Sequence, residues 1–289
     1  MVNVLGNPLC IRPNVQSGFL YHYHWLFYAE YLMSTSRIYA ALRAFAAHLL
    51  VSCVLAALAA WLVLQVWFPF PYRELAGGLH LFWVMVGVDV VCGPLLTAVL
   101  FNPRKSRREL TLDLSLVALV QLCALGYGLY SIALARPVIQ AFEGDRFVVL
   151  SAIEIDRASL EKAPPNMQNL SWNGPVLVGT RSPKDASEQL QIVMESLQGF
   201  PAGAHPGWWQ PYEKSTADVQ QHMKPLANLR KIRPAEAQQA IDQAVQASGQ
   251  PLDALFYVPL VSKKKLDSWI VLLDANAKIV GYAPVGGFD

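Results

Sequence analysis

Charge is scarce in this sequence: only 15% of its 289 residues are Asp, Glu, Lys or Arg, where a soluble domain carries about 25%. Apolar residues fill the gap, at 54% with 11% aromatics and a mean hydropathy of +0.29. A disordered chain has the reverse balance and is excluded, and an ordinary cytosolic enzyme fits poorly. Excess charge of one sign is missing as well. The net is only +2, which gives no reason to expect a nucleic-acid partner. Cysteine is rare: Cys10, Cys53, Cys92 and Cys123 form no C-x-x-C pair, and three of them stand in apolar runs. Neither a disulfide framework nor a zinc ribbon is available.

What the sequence does have is three apolar runs of the length a bilayer requires, about 20 residues each. They cover roughly Ala44 to Phe70, Leu75 to Phe101 and Leu112 to Leu134. The fold class expected is a membrane protein with three transmembrane α-helices followed by an α+β periplasmic domain. The divisions are 1–43 as a cytoplasmic N-terminal segment, 44–135 as the three-helix membrane domain and 136–289 as the periplasmic domain. Orientation follows from the positive-inside rule. Arg104, Lys105, Arg107 and Arg108 crowd the second connection, while Arg73 in the first is matched by Glu74. Arg37 and Arg43, ahead of the first run, agree with a cytoplasmic N-terminus. In a bacterium, the chain beyond Arg136 is then periplasmic. Residues 1–32 fit less well, and Met33-Ser34-Thr35-Ser36-Arg37 reads as a start before a membrane helix. Translation from Met33 is expected; the alternative for Tyr21 to Tyr28 is an interfacial aromatic anchor.

Within the spans, Asp89 stands near mid-bilayer, where an acid costs roughly 2.5–3.5 kcal/mol and needs a partner, a proton or a protein surface. Gln121 in the third run reaches comparable depth. Asp89 is read as a packing partner of Gln121, as a docking point for another helix or as a catalytic acid. Gly87 and Gly93 allow close helix approach, and Pro94 removes one internal hydrogen bond. Gln65 and His80 sit at similar depth near the outer face as intramembrane polar support, with no metal role.

From Arg136 onward the charges nearly balance. Strands are expected at Val138–Phe142 and Arg146–Ile153, and a loop over Ala163–Gly174. Helices follow from Ser182 to Leu197, Ser215 to Leu229 and Pro234 to Ala247, the last ending at Gly249. Strands close the chain at Leu255–Val261, Trp269–Leu273 and Ile279–Ala283. The region is long enough to bury its own core. The Trp208-Trp209 loop either binds a partner or plugs a small core. Motifs for acyl transfer, zinc hydrolysis or phosphate binding are absent from the sequence, so no catalytic residue, cofactor or metal is assigned.

Several segments carry a family resemblance. They are Arg37–Phe45, Gly77–Phe82, Gly87–Thr97, Phe101-Asn102-Pro103, Tyr127–Tyr130, Ala135–Val138, Asp145-Arg146-Phe147 and Pro259-Leu260-Val261. Their order and spacing resemble the TfpX/TfpZ family of type IV pilin accessory proteins, from about Met33 to the C-terminus. The resemblance implies a non-enzymatic accessory protein of the bacterial inner membrane. Its partners would be the type IV major pilin, other pilus assembly proteins and the lipid bilayer. On that footing Asp89, Gly87, Gly93 and Pro94 are expected to form a face where the pilin helix docks. The alternative is a membrane-anchored ligand sensor that signals through a partner.

Overall fold

The structure, a computed structural model, describes residues 35–76 and 79–288, without the side chains of residues 35, 36 and 79–81. The start at Met33, the aromatic anchor and the His80 side chain therefore lie outside the described residues.

Helix α1, Thr35–Trp61, contains neither Gly nor Pro and continues as a π-wound segment, Leu62–Trp67. It begins well before Ala44, so Arg37 and Arg43 lie on the helix rather than ahead of it. The apolar run and the helix differ in length because Arg and Ala are both strong helix formers. A single short turn, α2 at Tyr72–Leu75, precedes α3, Leu79–Leu100, which passes through Pro94 without ending. Helix α4 runs Arg107–Ala135. Its start is a reciprocal cap. Glu109 N–H donates to Ser106 Oγ at 3.2 Å, and Ser106 N–H donates to Glu109 Oε2 at 3.1 Å, satisfying two groups a helix end leaves open. By length and composition the stretches Arg37–Trp67, Phe82–Leu100 and Arg107–Ala135 could each cross a membrane, and their most apolar windows are only 17%, 22% and 11% buried within the protein. A helix apolar all round and so little covered needs apolar surroundings.

The described residues pack as two compact units. One holds α1 up to Ser52 together with Val91–Val120; the other holds Cys53–Val90 together with Gln121 onward. In the first, Lys105 and Asp113 pair at 2.5 Å. His48 Nδ1 lies 2.5 Å from Thr97 Oγ1, a polar contact between two apolar helices.

The second unit carries a sheet of eight strands. They are β1 Pro137–Glu143, β2 Arg146–Ser151, β3 Val176–Thr180, β4 Trp209–Pro211, β5 Lys224–Pro225, β6 Phe256–Ser262, β7 Lys265–Leu273 and β8 Ile279–Ala283. The order is β4-β3-β1-β2-β6-β7-β8, with β5 paired to β6. Pairings are antiparallel except β1 with β3 and β2 with β6. Four helices accompany it: α5 Ala186–Leu197, α6 Thr216–His222, α7 Leu226–Ile232 and α8 Ala235–Ser248.

Three differences from the sequence reading have local causes. Helix α5 starts at Ala186, not Ser182, because Asp185 accepts the Glu188 N–H at 2.9 Å and caps it there. The helix expected from Ser215 to Leu229 is two helices, since Lys224-Pro225 pairs with β6 between them. Strand β3 lies in a segment left without assignment. Gly249, at φ +68°, ends α8 as expected of a left-handed cap.

Alternation along β7 divides the core. Ile270 and Leu272 face Leu226, Leu229 and Ile241 of α7 and α8. Trp269, Val271 and Leu273 face the other way, into a cluster with Phe142, Phe147, Val258 and Leu260. That second cluster also contains Tyr72 and Leu75 of α2. Region 136–289 therefore shares its core with the connection before α3.

Candidate functional site

Arg136, the one residue between α4 and β1, is 4% exposed. Its Nη1 donates to the Ala133 carbonyl at 2.5 Å and its Nε to the Ser171 carbonyl at 3.2 Å. The guanidinium stands 3.8 Å over the Trp172 ring, which packs on Trp67 at 6.0 Å. A cation at a helix C-terminus is favourable, and the ring face adds a second attraction. Burial, then the nearby Arg157, lowers the Arg136 pKa from its usual value, but a guanidinium remains charged.

Next to it the connection 68–76 enters the sheet. The Tyr72 hydroxyl donates to Gln140 Oε1 at 2.7 Å and lies 3.0 Å from the Tyr282 hydroxyl, which is 3.3 Å from the same Gln140 oxygen. Burial raises the pKa of both phenols, which stay neutral hydrogen-bonding groups. Gln140 is 1% exposed, and its Nε2 has no hydrogen-bond partner among the described residues. Leu75 is fully buried, and its carbonyl accepts from Ser262 Oγ at 2.9 Å. Ile153 N–H donates to the Leu134 carbonyl at 3.0 Å, tying the end of β2 to α4. These groups fasten helix ends to sheet. The sequence reading missed them; a glutamine inside an apolar strand and a tyrosine in a four-residue turn were the available signals.

The residues expected to act inside the spans are placed less simply. Gln121 Nε2 donates to the Asp89 main-chain carbonyl at 2.9 Å, whereas the pairing expected was with the carboxylate. Asp89 Oδ2 is buried and has no hydrogen-bond partner among the described residues. Gly87 is exposed, with open space where a Cβ would stand. Gly93 and Pro94 are buried; at about 100° per residue Gly87 and Pro94 fall on one side of α3 and Asp89 and Gly93 on another. The side chain of Gln65 is exposed on the π-wound segment. Close helix approach occurs at Gly128, where an added Cβ would collide with the Met85 side chain.

A second surface stands out on α5. Arg181 grips Glu188 with two bonds of 2.9 Å, and this pairing, with the Lys184 N–H, lowers the Glu188 pKa to about 2. At the other end Glu195 lies 2.9 Å from His205 Nε2. Held by its charged groups, α5 buries none of its residues, and Leu190, Val193, Met194 and Leu197 are 63%, 48%, 51% and 79% exposed. The tryptophan loop does the opposite. Trp209 is 4% exposed and donates to the Gly203 carbonyl at 2.7 Å, and Trp208 lies under Arg181 at 4.5 Å. It plugs the core. Among the described residues, no group of three His, Cys, Asp or Glu could hold a metal ion.

Fold and junction define a class: three apolar helices whose connection is built into a mixed sheet, with an uncovered amphipathic helix on the sheet side. Residues 36–77 match the family model of the fimbrial assembly protein FimB. Over 242 residues the chain is 38% identical to the "Fimbrial assembly protein, serogroup I" of Dichelobacter nodosus, covering 84% of this chain and 94% of that protein. The serogroup E1 protein of the same organism is 36% identical over the same shares. The protein of serogroups C1 and C2 is 48% identical over 108 residues, 37% of this chain and 82% of the relative. No solved structure matches the chain. The chain belongs to the fimbrial assembly protein family.

Proposed function

We propose that this fimbrial assembly protein is a non-enzymatic accessory protein of type IV pilus biogenesis, in keeping with its resemblance to the TfpX/TfpZ family. It resides in the bacterial inner membrane with its N-terminus cytoplasmic and its sheet domain periplasmic. The basic connection Arg104–Arg108 favours that orientation. Its task is to keep the major pilin stable, or to assist its extraction or assembly. Two surfaces serve this. In the membrane the open side of α3 at Gly87 receives the pilin helix. In the periplasm the α5 face receives the pilin head.

The observation that carries the reading is α5. An amphipathic helix secured at its polar side by the Arg181–Glu188 ion pair and the Glu195–His205 contact, while four large apolar residues stay in water, is built to be covered by a partner. Replacing Leu190, Val193, Met194 and Leu197 together by Ser tests it. The expected result is normal folding and amount of the protein with loss of surface pili, scored by shearing and a pilin immunoblot. Full piliation in that strain would remove α5 from the account, and full piliation after clean deletion would overturn the accessory role itself.

The sensor reading draws on a cleft of about 860 Å3 between α5 and the sheet, lined by Glu143, Arg146, Thr180, Arg181 and Ile192 among others. A small molecule that raised the melting temperature of the full chain, lost on Ile192→Trp, would favour it.

A further inference from the structure

Where α3 and α4 meet the sheet, the described residues leave an apolar cleft of about 550 Å3. Met85 of α3 and Ala124 and Ile132 of α4 line it from the helices, Val149 and Ile153 from the sheet side. Lys263 and Lys264, the exposed turn between β6 and β7, also line it. Two hydrogen bonds set the height of that turn. Ser262 Oγ holds the Leu75 carbonyl, and Ile153 N–H holds the Leu134 carbonyl. The two lysines thus stand level with the ends of the helices, above an apolar slot. Glu154 lines the cleft too, but its carboxylate is turned onto Ser151, 2.8 Å from the N–H and 2.5 Å from Oγ.

Depth and charge point to the occupant. The cleft follows α4 from Ala135 to Ala124, a rise of about 16 Å at ~1.5 Å per residue. Half of a hydrocarbon core about 30 Å thick is nearly the same depth. The lining along that depth is mainly apolar and suits hydrocarbon. Two cations above such a slot complement a phosphate headgroup with net negative charge.

We propose that this cleft binds one anionic phospholipid of the leaflet next to the sheet domain, with acyl chain along α4 and headgroup at Lys263 and Lys264. The proposal rests on reading the three helices as membrane spans. It makes the β6–β7 turn a lipid-headgroup site and sets the sheet domain against the bilayer surface, where Ile153 and Leu266, 68% and 70% exposed, find apolar contact.

The test uses the full chain purified in a neutral detergent, with phosphatidylglycerol or phosphatidylcholine added and bound lipid counted by native mass spectrometry. Phosphatidylglycerol is expected to bind at least tenfold more tightly than phosphatidylcholine. The paired change Lys263→Ala and Lys264→Ala should abolish that preference, and Ala124→Phe should weaken both lipids, with helix content unchanged in each variant. Equal binding of the two lipids by the unaltered chain overturns the proposal, as does an unchanged preference in the lysine variant. A photo-reactive residue at Ser131 that captures pilin instead of lipid also overturns it. Release of the chain from membranes by alkaline carbonate would instead refute the membrane reading, so the two failures are distinguishable.

Discussion

In α2 two of four residues, Tyr72 and Leu75, are buried, whereas α5, three times as long, buries none of its twelve. Both are short helices with large apolar side chains, and both are tied to the sheet by polar bonds. The difference lies in which side faces inward. In α2 the apolar side enters the sheet core and the polar bonds seal it. In α5 the Glu188 carboxylate paired with Arg181 and the Glu195 carboxylate beside His205 face the protein, leaving the apolar side out. Apolar content therefore does not by itself tell an anchor from a docking face; the placement of the charged partners does.

The contrast breaks most visibly at Leu75. Leu75→Ala removes a fully buried side chain and is expected to cost about 2–5 kcal/mol, while Leu190→Ala on α5 should stay within about 0.5 kcal/mol. Thermal unfolding of the full chain in detergent measures both, and similar losses would erase the distinction. Next comes Tyr72→Phe, which keeps the ring and takes the donor from Gln140, already short of a partner at Nε2. A loss of about 1–3 kcal/mol is expected; no loss would mean that the Tyr282 hydroxyl alone satisfies the Gln140 oxygen.

The smallest effect sharpens the α5 side. Glu143, on the cleft between α5 and the sheet, has its pKa raised chiefly by burial, against the opposing Gly203 N–H bond of 2.9 Å. A carboxyl raised in the folded state contributes stability that is complete below its unfolded pKa, about 4.3. That contribution is lost as pH rises through the folded value. Glu143→Gln keeps the acceptor without the charge. Its melting temperature relative to the unaltered chain should accordingly be higher at pH 7 than at pH 4, and a gap that does not change with pH would remove the burial argument.

Much of the architecture was legible where the signal is local. Three apolar runs became three long helices, and Ile279–Ala283 was found with its observed bounds. Helix ends moved where a side chain decided them, as Asp185 did for α5. Strands β3, β4 and β5 were missed because each is short and depends on a partner far along the chain. The site was less legible for the same reason. Tyr72 meets Gln140 and Tyr282 across 68 and 210 positions, and no periodicity encodes that. Asp89 and Gln121 were brought together as the sequence suggested, but whether an amide seeks the side chain or the main chain is a matter of ångströms. Gly93 and Gly87, equivalent in sequence, stand about 120° apart around α3, one buried and the other exposed.

The wedge that α2 drives into the sheet also orders events in time. Residues 72–75 leave the ribosome before any strand, and in the proposed topology they are exported ahead of the sheet that closes around them. N-terminal parts generally fold first during synthesis. In that topology the sheet then assembles around residues already joined to a helix on either side. A fragment beginning at Arg136 would lack those residues and expose the hollow that Tyr72 and Leu75 fill. Reporter fusions or crystallisation fragments cut at the last helix would thus lack part of the sheet's core, whereas a fragment that keeps 68–76 joined to the sheet retains it.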